Sequence, residues 1–231
     1  GMKRRIGVGY FISRAVIIIL LVCTFFPLVM MVNMSLKPNV MIMNDFLGLP
    51  REIYWTNYVK AFDFVFRPIL NSLYVCIVSL VLILIVVALS GYALGRMHFK
   101  GRKIIYMLIM AVMMIPYTLL IVPDYTIISK MKLLNNFWSL IIPYVGGQQV
   151  FGIILAESFY RGLPGDLFEA AKIDGASEFT GFLKIAVPLS KPILITVGIT
   201  AVVAMYNDYI WPTITMTGGD EMKTFCQIVF N

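Results

Sequence analysis

Charge is what this sequence has least of. Asp and Glu together number 12 and Lys and Arg 19 among 231 residues, so 13% of the chain is charged, roughly half the share of an ordinary soluble domain. With 60% of residues hydrophobic, there is too little polar surface to cover a core in water, which excludes a soluble enzyme and makes lipid the solvent. Histidine is nearly absent: His98 is the single imidazole, and in its basic turn it reads as a solvated residue rather than a ligand or proton relay. Cys23, Cys76 and Cys226 lack paired spacing and read as free thiols, not as a metal or disulfide framework. No GxxxxGK[ST] run occurs, so the chain has no phosphate-cradling loop of its own.

What is present is a set of long uncharged runs: Ala15 to Leu36, Pro68 to Gly95, Ile104 to Pro123, Leu133 to Ala156 and Pro192 to Asn207. A helix of about 20 residues rises roughly 30 Å and crosses the hydrocarbon core. Because backbone groups in lipid must be satisfied internally, and these runs show no two-residue alternation, they predict an all-α polytopic membrane protein with five spans. The fifth extends to Asp208, and Pro27 and Pro116 are expected to kink their helices without breaking them. The first run is too long for a signal-peptide core and lacks a small-residue cleavage site, so it reads as a retained span. The closing apolar run from Phe225 to Phe230 stops short, which points to a sixth helix beyond the chain.

Lys3, Arg4, Arg5 and Arg14 precede the first run, and Arg96, Lys100, Arg102 and Lys103 crowd the turn after the second. The positive-inside rule therefore places both in the cytoplasm, with 157–191 inside and 37–67, 124–132 and 208–231 outside. The net charge of +7 is a topology signal and not a nucleic-acid footprint, since the basic clusters are split across membrane-adjacent turns. The expected organisation is a cytoplasmic tail and first span (1–36), an extracytoplasmic connector (37–67) and a membrane core (68–231) holding the cytoplasmic loop 157–191. The first four runs contain no ionisable side chain of the kind proton-coupled carriers and voltage sensors place at membrane depth. Work done by this chain would draw its energy from another subunit.

The 157–191 segment predicts two short helices around a corner. Pro164 suits a first helical turn, Asp166 complements the helix dipole, and Leu167, Phe168 and Ala171 lie on one side, with Glu169 and Lys172 spaced as an i,i+3 pair. Gly175 sits where the chain reverses, where positive φ and a close backbone approach carry no side-chain cost. Ser177 can cap the second helix, in which Phe179, Phe182, Leu183 and Ala186 repeat at helical spacing. On composition alone this could be an amphipathic hairpin on lipid headgroups.

The residues themselves carry a resemblance. Glu169-Ala170-Ala171, Gly175 four residues on, then Ile185 and Val187-Pro188 resemble the EAA-x3-G-x9-I-x-LP loop of ATP-binding-cassette (ABC) importer permeases, with Val187 in place of Leu. Asn71-Ser72-Leu73, Gly91-Tyr92-Ala93-Leu94, Ile115-Pro116, Pro143-Tyr144 and Phe151-Gly152 fall in the order of the carbohydrate-uptake branch, in particular its maltose-type second permease subunit. Tyr206-Asn207-Asp208-Tyr209-Ile210-Trp211-Pro212 resembles that branch's W-N-x-F-x-W-P stretch. The resemblance implies a type I ABC importer transmembrane domain with no catalytic site, a sibling permease subunit, a cytoplasmic ABC ATPase dimer carrying ATP and Mg, an extracytoplasmic solute-binding protein, and the plasma membrane of a bacterium or archaeon. It further implies that Leu167, Phe168, Glu169, Ala170, Ala171, Asp174, Gly175 and Ala176 seat in the ATPase, and that Gly218, Gly219 and Asp220 reach toward the binding protein.

Polar groups placed to line a solute path are Asn71, Tyr144, Gln148, Gln149, Asn207 and Asp208, although amides and Tyr hydroxyls also bond between helices. Trp211, Tyr54 and Trp55 fit an aromatic belt at the membrane surface. Two other readings stand beside the sugar permease at this point: the same architecture serving another solute, and a non-transporting scaffold or sensor whose cytoplasmic hairpin binds a signalling partner.

Overall fold

The computed structural model describes residues 8–230, so the basic cluster Lys3, Arg4 and Arg5 lies outside the described residues. Among those residues the fold is helical throughout, without strands. In chain order the helices are α1 (Val8–Ser35), α2 (Asn39–Asn44), α3 (Thr56–Arg96), α4 (Arg102–Met113), α5 (Tyr117–Lys130), α6 (Trp138–Gly162), α7 (Asp166–Ile173), α8 (Glu178–Gly181), α9 (Val187–Leu189), α10 (Lys191–Asn207), α11 (Ile210–Thr215) and α12 (Phe225–Phe230). A π turn, Phe182–Ala186, joins α8 to α9. The chain divides into two units, 1–64 and 65–231, with the boundary inside α3.

The first unit contains α1, an apolar helix whose side chains from Tyr10 to Val32 are almost all exposed except for Met30, as expected of a surface that faces lipid or another helix. After it the chain folds around one buried cation. Lys37 Nζ donates to the carbonyls of Asp45 (3.1 Å), Phe46 (3.4 Å) and Gly48. Asn57 Nδ2 ties the start of α3 back to the carbonyls of Ser35 (3.0 Å) and Lys37 (2.8 Å). The expected connector 37–67 is thus partly helical, since α3 begins at Thr56.

In the second unit the core is built from Val75, Ile83 and Val87 of α3, Leu140, Ile153 and Ala156 of α6, and Val197 and Ala201 of α10. Small residues let these helices approach. A Cβ at Gly91 would stand 2.5 Å from Ala156 Cβ, and one at Gly95 would stand 2.9 Å from the Glu157 carbonyl, so glycine is what permits α3 to lie directly on α6.

Among the described residues, three single helices are long and apolar enough to cross a membrane, at Gly9–Ser35, Thr56–Arg96 and Trp138–Gly162, and the count reaches five if each of two bent pairs is one span. One bent pair corrects the expectation for Pro116. The chain does not kink there but breaks: α4 and α5 meet at 102°, and Pro116 takes an extended ψ of 130°. Proline has no N–H for the helix ladder and pushes its predecessor out of the helical region, and α4 closes instead on tighter turns, Met114 N donating to the Ala111 carbonyl and Ile115 N to the Val112 carbonyl, both at 3.1 Å. By contrast Pro27 lies within a continuous α1. Residues 124–130, expected as an outer connector, continue α5. The second bend, 70°, separates the segment Glu178–Leu189 from α10.

Candidate functional site

Two regions carry the predicted site residues, one at each end of α10. At the amino end, α7 and α8 form an elbow. Gly175 has φ +82°, and the turn closes through Gly175 N to the Lys172 carbonyl (3.0 Å) and Ala176 N to the Ala171 carbonyl (2.9 Å), the glycine-terminated helix end that a left-handed residue makes possible. Ser177 caps α8, its Oγ accepting from Thr180 N at 3.2 Å. Past α8, Val187 N donates five residues back to the Phe182 carbonyl. That wider turn accommodates Pro188, which cannot donate to the i−4 carbonyl. Lys172 reaches Glu178 at 2.6 Å, not Glu169 as the helical spacing predicts: the turn at Gly175 brings Glu178 back over α7. That ammonium, through its hydrogen bond above all, holds the Glu178 carboxyl below its ordinary range.

The elbow is bolted to the membrane helices by aromatic and guanidinium contacts. Phe168 is buried, with Tyr92 at 6.2 Å between ring centroids and the Arg96 guanidinium 4.3 Å above its face. Tyr92 also packs on Phe182 (5.1 Å) and Tyr160 (5.7 Å) and donates to Glu178 Oε2 at 3.4 Å. Arg96 Nη1 donates to the Leu163 carbonyl at 3.0 Å, and Tyr160 Oη meets Ser190 Oγ, at the bend before α10, at 2.8 Å. Phe168 therefore points inward as an anchor and is not an outward contact. Leu167, Glu169, Ala170, Asp174 and Gly175 are exposed and Ala171 and Ala176 half-buried. Ile173, 87% exposed beside the turn, is the outward residue that sequence reasoning passed over. Its apolar character beside the turn-forming Gly175 was the available signal.

At the other end, about 25 Å along a helix of this length, α10 stops at Asn207 beside a cleft of about 860 Å³. Tyr144, Gln148, Asn207 and Asp208 all line it, joined by Tyr117 and Asp124 of α5. Tyr144 Oη donates to Asp208 Oδ2 (3.0 Å), while Asp208 Oδ1 accepts from Ile210 N (3.1 Å) and Trp211 N (3.3 Å). Asp208 thus starts α11 while facing the cleft. Asn71 is not brought here: its Nδ2 donates to the carbonyls of Glu221 (2.9 Å) and Lys223 (3.0 Å), pinning the loop after α11. Trp211 is not a belt residue either. It is fully buried, its Nε1 donating to the Ser139 carbonyl at 2.8 Å, because α11 folds back against α6. Gly218 N donates to Asn135 Oδ1 (2.7 Å) and Asp220 pairs with Lys223 (2.6 Å), leaving Gly219 and Asp220 exposed.

Helices long and apolar enough to cross a membrane, a tight elbow at one end of α10 and a mostly apolar cleft with a few polar groups at the other define a polytopic membrane protein. Residues 88–230 match the family of binding-protein-dependent transport system inner membrane components. The chain is 31% identical over 212 residues to the diacetylchitobiose uptake system permease protein NgcG of Streptomyces coelicolor, covering 91% of this chain and 70% of that protein. It is 29% identical to the arabinooligosaccharides transport system permease protein AraQ of Halalkalibacterium halodurans, over 84% of this chain and 71% of that one. The crystal structure of a bacterial ABC transporter involved in the import of the acidic polysaccharide alginate shares the fold, with a TM-score of 0.83, 23% identity, and coverage of 99% of this chain and 81% of that chain. The chain belongs to the binding-protein-dependent transport system inner membrane component family, and it has the transmembrane fold of a type I ABC importer.

Proposed function

We propose that this chain is a permease subunit for a sugar or oligosaccharide, that its elbow seats in a separate ABC ATPase dimer, and that ATP hydrolysis there drives alternating access at the cleft. The observation that carries the reading is the elbow itself: an exposed turn at Gly175 whose inner side, through Phe168, Tyr92 and Arg96, is fastened to α3 and α6. A push on the tip is transmitted to the spans because interdigitated aromatics yield by rigid displacement and not by compression. The sugar class is supported by the names of the relatives and by a cleft in which apolar walls carry a few polar groups.

The amino terminus and the elbow are assigned to the cytoplasm by the distribution of Lys and Arg. The loop around Gly218, Gly219 and Asp220 is assigned to the binding protein on the opposite face, and the chain itself performs no catalysis, ATP and Mg residing on the ATPase. Its companion in the membrane is a sibling permease.

The test is reconstitution of the complex in liposomes with ATP inside or outside and its binding protein, together with crosslinking from Ile173→Cys. ATP-dependent accumulation of a labelled sugar and a crosslink to the ATPase are the expected results. A complex that hydrolyses no ATP, or whose elbow crosslinks only to lipid, would return the chain to the class of scaffolds.

A further inference from the structure

The cleft has an unbalanced electrostatic inventory. Its polar lining is Tyr117, Asp124, Tyr144, Gln148, Asn207 and Asp208, and no Lys, Arg or His is found among the described residues that line it. Two carboxylates therefore face one space of about 860 Å³ with no counter-ion from this chain. Their situations differ. Asp208 is occupied on both oxygens, by Tyr144 and by the backbone at the start of α11. Asp124, half-buried in α5, has no hydrogen bond or ion pair within the described residues.

A carboxylate at the edge of an apolar wall needs donors, and none comes from this chain, so in the open cleft Asp124 is free to accept them from a solute. Ionised Asp accepts hydrogen bonds and donates none. The remaining groups complete a sugar-binding inventory: Tyr117 carries a hydroxyl that can donate or accept, Gln148 an amide that does both, and Asn207 an Oδ1 acceptor, its Nδ2 being given to the Val203 carbonyl at 2.8 Å. Hydroxyl groups satisfy every one of these. An acidic solute would instead bring a third negative charge into a space where the field of the first two is weakly screened.

We propose that this cleft selects solute by charge: it takes neutral or amino-bearing sugars, refuses acidic ones, and uses Asp124 as the carboxylate that accepts hydrogen bonds from solute hydroxyls. The proposal rests on the sugar-permease reading above and narrows it, since the shared fold with an importer of an acidic polysaccharide carries no statement about the charge of the path.

The assembled complex in nanodiscs, without binding protein, is probed by saturation-transfer NMR with three disaccharides of similar size: diacetylchitobiose (neutral), chitobiose (cationic) and dimannuronate (anionic). The assembled complex is used so that groups supplied by the sibling subunit are included. Transfer to the first two, with the uronate at least tenfold weaker, is expected. Asp124→Asn, which keeps size and most hydrogen bonding, should weaken chitobiose severalfold and bring the uronate to within about threefold of the neutral sugar. Equal binding of uronate and neutral sugar to the unaltered complex, or an unchanged ratio in Asp124→Asn, overturns the charge selection and leaves the sugar reading standing. If none of the three probes binds, the sugar reading itself falls, and the proposal with it.

Discussion

The Arg96 guanidinium stacks 4.3 Å above the Phe168 ring while one of its nitrogens donates to the Leu163 carbonyl at 3.0 Å. One side chain at the end of α3 thus grips both the helix that forms the elbow and the chain leading into it. A cation over an aromatic face contributes about 0.5–2 kcal/mol, and a hydrogen bond from a charged donor about 1.5–3 kcal/mol. Losing both loosens the elbow without touching its outer surface. Arg96→Ala should leave ATPase association intact while sugar imported per ATP hydrolysed falls at least tenfold. Arg96→Lys, which keeps the charge but not the planar stack, should fall between. Transport and hydrolysis measured on the same proteoliposomes give the ratio, and equal losses in both would mean that Arg96 merely holds the fold.

Gly175 makes a second prediction with a different physical origin. Space over its Cα is open within this chain, yet φ is +82°, so a side chain there is disfavoured by backbone conformation, at about 1–2 kcal/mol, and not by a clash with the elbow. Gly175→Val adds β-branching to that cost and fills the approach to a partner, whereas Gly175→Asn adopts the left-handed region more readily. Both variants should insert at normal levels. Uptake should fall more than tenfold for Val and only a few-fold for Asn, and equal losses in the two, which are similar in size, would show that bulk, not conformation, decides at this corner.

The elbow was the most legible part of the chain, because its signals are local. Gly175 at a reversal and Ser177 as a cap each report backbone conformation at their own position, and both are found as expected. The cleft was half legible. Tyr144, Gln148, Asn207 and Asp208 stand out as polar residues in or beside apolar runs, but Asp124 follows Pro123 and reads as the start of an outer loop. It joins the cleft only because the chain breaks at Pro116 and α5 turns by 102°, a tertiary consequence that proline content does not reveal. Trp211 and Asn71 failed for a related reason. An indole suits a membrane surface as well as a core, and an amide suits a pathway as well as a loop pin. Only the fold of 208–223 against α6 and α3 decides between them.

The Lys172–Glu178 pair, at 2.6 Å across the turn, fixes how the elbow responds to pH. Glu178 is depressed chiefly by its hydrogen bond to Lys172, so its contribution is complete above the ordinary carboxylate range and disappears as pH falls through the lowered folded value. Hydrogen exchange in residues 166–189, corrected for intrinsic rates, should therefore be flat from pH 8 to pH 5 and rise only below. Lys172→Gln should raise exchange already at pH 7, modestly, because both side chains are more than half exposed and solvent screens them. Protection that declines between pH 8 and pH 6 would assign the response to some other group.

Glu157 offers a test of distance against screening. Its carboxylate is 3% exposed at the end of α6, with Oε1 3.3 Å from Arg161 Nη1 and 3.9 Å from Arg102 Nη2, and with Oε2 buried and without a hydrogen-bond partner. The nearer arginine is 59% exposed and one turn along the same helix, whereas the farther is 26% exposed and sits at the start of α4, also donating to the Gly95 carbonyl at 3.4 Å. Coulomb energy varies inversely with separation, so the distances favour Arg161 by less than about a fifth, while the effective dielectric changes severalfold between a wet and a buried site. Exposed i,i+4 pairs contribute only about 0.3–0.5 kcal/mol. Double-mutant cycles on thermal stability, using Glu157→Gln with Arg102→Gln and with Arg161→Gln, should therefore return the larger coupling for the longer contact, about 1 kcal/mol or more against about 0.5. The opposite ranking would mean that water reaches the carboxylate, and that α4 is held to α6 by apolar packing alone.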